Sequence, residues 1–405
     1  MRELGYHGGM RVLAVAAVLA GAAVYAGCSD DGATAPADAG ASGADGSQGQ
    51  DAIAPPADGG TPDASDDASD AADPACVSDG GLPDDLRCTG LYSNFAAKTV
   101  APTVRAYAPG APFWSDGANK SRWVSLPLGT KIDSSNMDEW IFPSGTKFWK
   151  EFKVGGKRVE TRLFSKTAPR DPSSDAGIAY AATWEWTTYK WSSDESTATR
   201  LDSGATSVNG TTYEIPSQAQ CDQCHSGKDD KILGFEALNM GLAGASGVTL
   251  SVLASEGRLT NAPATTTFAI PEDATGKARD ALSWLHGNCS ACHNANQNAG
   301  ALFTGLFLRV RTAELTGDGG AARVQDLDAY KTAVNQDPKA LTAFKNQGFK
   351  LIAAHDVAFS LIPKLAAARD VSGVPQMPPI VTHVADDAGV AKINDWISGL
   401  PDGGI

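Results

Sequence analysis

Thr183-Trp184-Glu185-Trp186-Thr187-Thr188-Tyr189-Lys190-Trp191-Ser192 alternates large aromatics with polar residues, the period-two pattern of a half-buried β-strand. Upstream, Val124 to Leu126, Trp140 to Phe142, Lys147 to Val154 and Val159 to Phe164 are further short strand-like runs. Pro127, Gly129, Pro143-Ser144-Gly145 and Gly155-Gly156 punctuate them as turns. The pattern predicts an all-β domain, sandwich or barrel-like, over residues 74–217. A stripe of Trp also suits a carbohydrate platform, but core and sheet surface is its commoner use.

Downstream the pattern changes. All seven cysteines find an assignment. Cys221-Asp222-Gln223-Cys224-His225 and Cys289-Ser290-Ala291-Cys292-His293 are two C-x-x-C-H motifs, the attachment signature of c-type haem. Two thiols a helical turn apart reach the two haem vinyl groups, and the adjacent imidazole then ligates the iron. A zinc knuckle or a redox C-x-x-C pair is the alternative, although a redox pair has no need of His after both motifs. Cys76 and Cys88 remain as an even pair, expected to form a disulfide staple in an oxidising compartment.

Before the second motif, Ala278, Ala281, Leu282 and Leu285 fall at helical spacing; near the C-terminus Val390, Ile393, Trp396 and Ile397 do the same. This helix pair resembles the packed terminal helices of small cytochromes c. Met377-Pro378-Pro379 between them resembles the distal-ligand loop of that fold, making Met377 the expected sixth ligand of the second haem. Its distance from His293 implies an insertion, for which Gly317 to Gln347 is the candidate. For the first haem Met240 is the nearest candidate ligand, set against a core methionine beside Leu238 and Leu242. His286, His355 and His383 are further alternatives, each more commonly a surface or core histidine. The expected domains are 218–274, a first haem region with helical patches near Phe235 to Leu242 and Leu250 to Leu259, and 275–405, a second, cytochrome c-like domain. The fold class expected is therefore multi-domain, all-β followed by mainly α-helical haem domains.

Residues 1–28 read as an export signal. Arg11 precedes an apolar run from Val12 to Val24, and Ala26-Gly27 stand before Cys28. The run is too short for a permanent span, and Met10 makes a tidier start than Met1. Val24 to Cys28 resembles a bacterial lipoprotein cleavage box, so Cys28 is expected to carry a lipid that holds the protein to the membrane. Residues 29–73 are Asp, Ala, Gly, Ser and Pro almost throughout, which predicts an extended linker. That linker holds eleven Asp and no Lys or Arg, so most of the formal charge of -14 lies there, and about -4 remains from Pro74 onward. Nothing basic enough for nucleic acid is present.

Phe113-Trp114-Ser115-Asp116-Gly117-Ala118 with Lys120 and Arg122-Trp123, Trp140 to Thr146 with Lys150 and Phe152, and Glu160-Thr161-Arg162-Leu163 form one set of motifs. Tyr213 to Ser217, Leu233-Gly234-Phe235, Leu238-Asn239 and Trp284 to Cys289 form another. Together they resemble a family of exported bacterial di-haem cytochromes with a β-rich N-terminal part and two C-terminal haem sites. The resemblance implies two covalent haem c groups, held by the two Cys pairs with His225, His293 and Met377.

Three functions fit. The first is electron transfer in the bacterial cell envelope between an unidentified redox protein donor and acceptor. The second is a di-haem oxidoreductase, a peroxidase or small-molecule dehydrogenase, with an open iron at the first haem. The third is a partner- or glycan-binding envelope protein with accessory haems. No acid, base or nucleophile constellation stands out, which ranks the carrier first.

Overall fold

A computed structural model describes Cys76 and residues 81–169, 183–316 and 322–402. The signal, Cys28 and the linker lie outside the described residues, as does the start of the candidate insertion. Everything described belongs to one unit, Ser69–Ile405.

The alternating runs become the long strands β4 (Asn119–Ser125), β5 (Lys147–Val154), β6 (Lys157–Lys166) and β7 (Trp184–Trp191), after a short β1–β2 pair (Tyr92–Asn94, Thr99–Val100) and β3 (Arg105–Ala108). With β8 (Ala198–Arg200) and β9 (Ser246–Gly247) they form a seven-stranded antiparallel sheet in the order β8-β7-β6-β5-β4-β3-β9. One face carries Trp149, Leu163, Tyr189 and Trp191 and packs on Leu82, Leu86, Leu91 and Tyr92 from the segment stapled by the Cys76–Cys88 disulfide. The other face carries Val124, Phe148, Phe164 and Trp184 and packs on residues from the chain beyond Ser217.

That arrangement overturns the expected all-β sandwich or barrel followed by mainly α-helical cytochrome c-like domains. The described chain is 26% helical and 20% strand. The sheet needs no partner sheet, because the stapled segment covers one face and loops and helices beyond Ser217 cover the other, and its edge strand β9 comes from beyond the first motif. Helices α1 (Gln218–His225), α2 (Ala237–Gly241) and α3 (Leu250–Ser255) are short. Only the two true apolar stripes make long helices, α4 (Ala278–Cys289) and α9 (Asp387–Gly399). Between them α5 (Thr312–Leu315), α6 (Asp328–Lys331), α7 (Thr342–Asn346) and α8 (Leu361–Ala367) are separated by irregular chain. Trp140 to Phe142 forms no strand either, pairing only through an isolated bridge between Ile141 and Asp133. Among the described residues no helix is long and apolar enough to cross a membrane.

Candidate cofactor site

Ser217 opens α1 with a reciprocal capping box: its hydroxyl accepts from the Gln220 N–H, and the Gln220 side chain accepts from the Ser217 N–H at 2.8 Å. Strand β7 holds the helix from below, Trp186 Nε1 donating to the Gln218 carbonyl at 3.2 Å and Gln218 Nε2 to the Trp186 carbonyl at 2.8 Å. The first C-x-x-C-H turn is thereby seated on the sheet. The His225 ring stacks on Phe164, centroids 4.4 Å apart and planes 21° apart, and Phe164 stacks in turn on Trp186.

His225 Nδ1 is hydrogen-bonded to the Lys231 carbonyl. A carbonyl only accepts, so Nδ1 carries the proton and Nε2 keeps its lone pair. Burial lowers the imidazole pKa to about 3; the Lys231 carbonyl opposes this, and Lys150, Arg162 and the Lys231 ammonium add to it. The ring is neutral, the form that ligates a metal. Lys231 adopts φ 60° and its ammonium reaches Asp222 Oδ1 at 2.5 Å. Asp230 beside it pairs with Lys166 and accepts from Trp184 Nε1 at 2.7 Å, tying the loop after the motif to β6 and β7.

The second motif continues from the end of α4. The Cys292 and His293 N–H groups both donate to the Cys289 carbonyl, at 3.2 and 2.9 Å. The Leu306 carbonyl lies beside His293, but Nδ1 makes no hydrogen bond of proper geometry and is a buried polar atom without a partner. Burial lowers this imidazole's pKa as well.

The two turns interlock. The Cys292 thiol, in the second turn, donates to the carbonyl of Gln223, in the first, at 3.9 Å. Asn294 Nδ2 donates to the Gly227 carbonyl at 3.2 Å and Asn296 Nδ2 to Asp229 Oδ1 at 2.6 Å. Gly227 is required here, since a Cβ would overlap the Ala291 carbonyl. All four motif cysteines are free thiols. Burial raises Cys221 and pushes Cys289 up to about 12, while the interaction of the two thiols raises Cys224 and lowers Cys292.

The Phe113 to Ala118 stretch is a clasp over these turns. The Trp114 N–H donates to Asn288 Oδ1 at 2.6 Å, and its indole to the Val384 carbonyl at 2.8 Å. Asp116 accepts the N–H groups of His383, at 2.9 Å, and Val384, at 3.2 Å. His383 Nε2 meets Glu214 Oε2 at 2.8 Å. The loop so fastened carries Met377, half-buried, whose N–H donates to the Leu365 carbonyl at 2.9 Å.

The other candidates lie elsewhere. Met240 is 1% exposed in the core with Leu238, Leu250 and Leu253. His286 is buried and accepts the Val310 N–H on Nδ1 at 3.1 Å, with Asn239 Nδ2 3.2 Å from Nε2. His355 is exposed, at φ 62°. Among the described residues no three His, Cys, Asp or Glu side chains group to hold a metal ion. Each turn instead offers a thiol pair and one neutral imidazole, the donor set that covalent haem attachment requires, so the residues fit that group.

Sequence reasoning missed Lys231, which no spacing rule singles out, and named Arg122, Lys150 and Arg162 as motif residues without giving them a role in the site. A signal for such a role was available: the three occupy opposed positions on three successive strands. The chain matches no protein-family model, no curated protein and no solved structure.

Proposed function

We propose that the chain is a membrane-anchored di-haem c-type cytochrome, held by a lipid on Cys28, that transfers electrons in the bacterial cell envelope. The observation that carries this reading is the interlocking of the two C-x-x-C-H turns, with the Cys292 thiol on the Gln223 carbonyl at 3.9 Å and the Asn294 amide on the Gly227 carbonyl at 3.2 Å. Electron exchange between two centres needs proximity and a fixed spacing, and this packing supplies both for groups attached at these turns. Bound haem supplies a one-electron Fe(III)/Fe(II) centre at each. Cys221 and Cys224 attach the first and Cys289 and Cys292 the second. His225 offers Nε2 because Lys231 holds Nδ1. His293 and Met377 are assigned to the second iron, and His225 to the first. The donor and acceptor are redox proteins, and the acidic chain is not suited to nucleic acid.

One observation favours a second reading. The Cys224 and Cys292 thiols act on each other's ionisation, as the members of a dithiol redox pair do. Reactive thiols have depressed pKa values, however, and here three of the four are raised. Intact-mass measurement after expression with the cytochrome maturation machinery separates the two. The carrier reading expects the mass of two added haems and no free thiol; a chain without added haem that loses two hydrogens on oxidation would overturn it. Optical and electron paramagnetic resonance spectra then report the axial ligands. Low-spin iron at both sites is expected of a carrier, whereas one high-spin haem that reacts quickly with peroxide marks an oxidoreductase.

A further inference from the structure

Three successive strands present cations at directly opposed positions on one face: Arg122 on β4 faces Lys150 on β5, and Lys150 faces Arg162 on β6. Lys120 lies two residues from Arg122 on the same face and donates to the Phe113 carbonyl. Like charges directly opposite one another oppose strand pairing, and cations drawn out of water call for an anion. The strands of the row hold one carboxylate on this face, while Asp116 and Asp386 act from outside it on Lys120. Glu160, wholly buried, binds Arg162 through Nη2–Oε1 at 2.6 Å and Nε–Oε2 at 2.9 Å, and also accepts from Tyr213 Oη at 2.6 Å.

Among the described residues the Arg122 and Lys150 side chains have no ion pair and no hydrogen bond. Their contacts are aromatic faces: Phe113 at 5.7 Å from Arg122 and 5.8 Å from Lys150, and Phe152 at 5.0 Å from Lys150. Such faces offset only part of the desolvation of a cation. Burial, reinforced by neighbouring cations, pushes Lys150 well below its ordinary value and Lys120 down to about 7, while the guanidinium of Arg122 stays charged. The row is short of negative charge.

It also faces the first motif. His225 stacks on Phe164, two residues along β6 from Arg162, and the charges of Lys150 and Arg162 act on both Cys224 and His225. A haem carries two propionate carboxylates. We propose that Arg122 and Lys150, with Lys120 at the end of the row, bind the propionates of the haem attached through Cys221 and Cys224. This inference rests on the di-haem reading and assigns the sheet a direct part in cofactor binding.

The test uses the full-length holoprotein, wild type and Lys150→Met, with Lys150→Arg as the conservative variant. Intact mass is measured first, then the potential of each haem against pH. In Lys150→Met both haems are expected to remain attached, with the potential of one falling where its propionate is ionised, because a cation that favoured the reduced state is gone. That potential should also acquire a pH slope nearer neutrality as the released carboxylate titrates, while the other haem is unchanged and Lys150→Arg behaves as wild type. A lysine of purely structural importance lowers the melting temperature and moves neither the potential nor its slope, and that result overturns the assignment. Where Lys150→Met does not accumulate, Lys120→Gln is read by the same criteria. Inorganic phosphate supplies the last arm: stabilisation of wild type by phosphate that is lost in the variant gives the row to a free oxyanion and overturns the propionate assignment. A wild-type mass without haem removes the di-haem reading itself, an outcome distinct from two haems with unmoved potentials.

Discussion

Glu236 is 4% exposed, and burial alone would favour its protonated form. Lys228 Nζ at 3.7 Å, the His286 imidazole and the Asn239 amide outweigh that burial and hold its pKa at about 2, below the ordinary 4.5. A carboxylate depressed in this way contributes stability that is present above pH 4.5 and is lost as the pH falls through about 2. Glu236→Gln should therefore flatten the acid limb in that window and lower stability at neutral pH by about 3 kcal/mol. Urea unfolding across a pH series measures both, and an unaltered acid limb would place the linkage on another group. On the proposed di-haem reading, Met377→Ala is expected to leave both haems attached, lower one potential and admit an added ligand to that iron. An unmoved redox titration would assign the sixth position to another residue. The cysteine pairs and their histidines were legible because their chemistry fixes their spacing. Lys231 was not, since it acts on His225 through a backbone carbonyl that any residue type possesses.

Helices α4 and α9 cross where Gly389 meets the indole of Trp284, and Asp386 accepts from both Trp284 Nε1, at 2.7 Å, and the Gly389 N–H, at 3.0 Å. A Cβ at Gly389 would overlap the indole. Gly389→Ala is thus expected to destabilise the protein by about 1–3 kcal/mol, as overpacking does, despite its gain in helix propensity. Calorimetry checks this, and a melting temperature equal to or above wild type would show that the crossing can relax. Both helices were legible because their stripes recur at the helical period and are buried throughout. The sheet was legible strand by strand for β5 to β7 but not as a whole, the run Val124 to Leu126 catching only the end of β4. β8 and β9 are three and two residues long, too short for alternation to register. A sandwich was the natural reading of strands apolar on both faces, since nothing local distinguishes burial under a second sheet from burial under loops and short helices.

At the scale of the molecule, the chain on either side of Ser217 shares one core. Phe148, Phe164 and Trp184 from the sheet pack in the same cluster as Phe235, Leu250, Leu282 and Trp396. Backbone pairing joins the same two parts. β3 pairs with β9, and the Ile132 N–H donates to the Arg258 carbonyl at 2.8 Å while the Thr260 N–H donates to the Ile132 carbonyl at 3.0 Å. Gly287 on α4 sits so close to the Pro112 carbonyl that a Cβ would overlap it. A chain ending at Ser217 keeps the packing of the stapled N-terminal segment but exposes the opposite face of the sheet. Each large side chain uncovered there forfeits about 1.5–3 kcal/mol of burial, and Arg122 and Lys150 would share that face with Glu160, which is already bound to Arg162. A few such residues exceed the whole stability of an ordinary domain, about 5–15 kcal/mol. Residues 74–217 alone are therefore expected not to fold, and residues 74–405 to unfold in a single transition, with tryptophan fluorescence and far-ultraviolet circular dichroism coinciding. The shared core predicts this whether or not haem is attached, so the experiment applies equally to chain expressed without maturation factors. Cooperative unfolding of the isolated 74–217 piece, or two separated transitions in the longer one, would show that the sheet stands without the cover the motif-bearing chain provides.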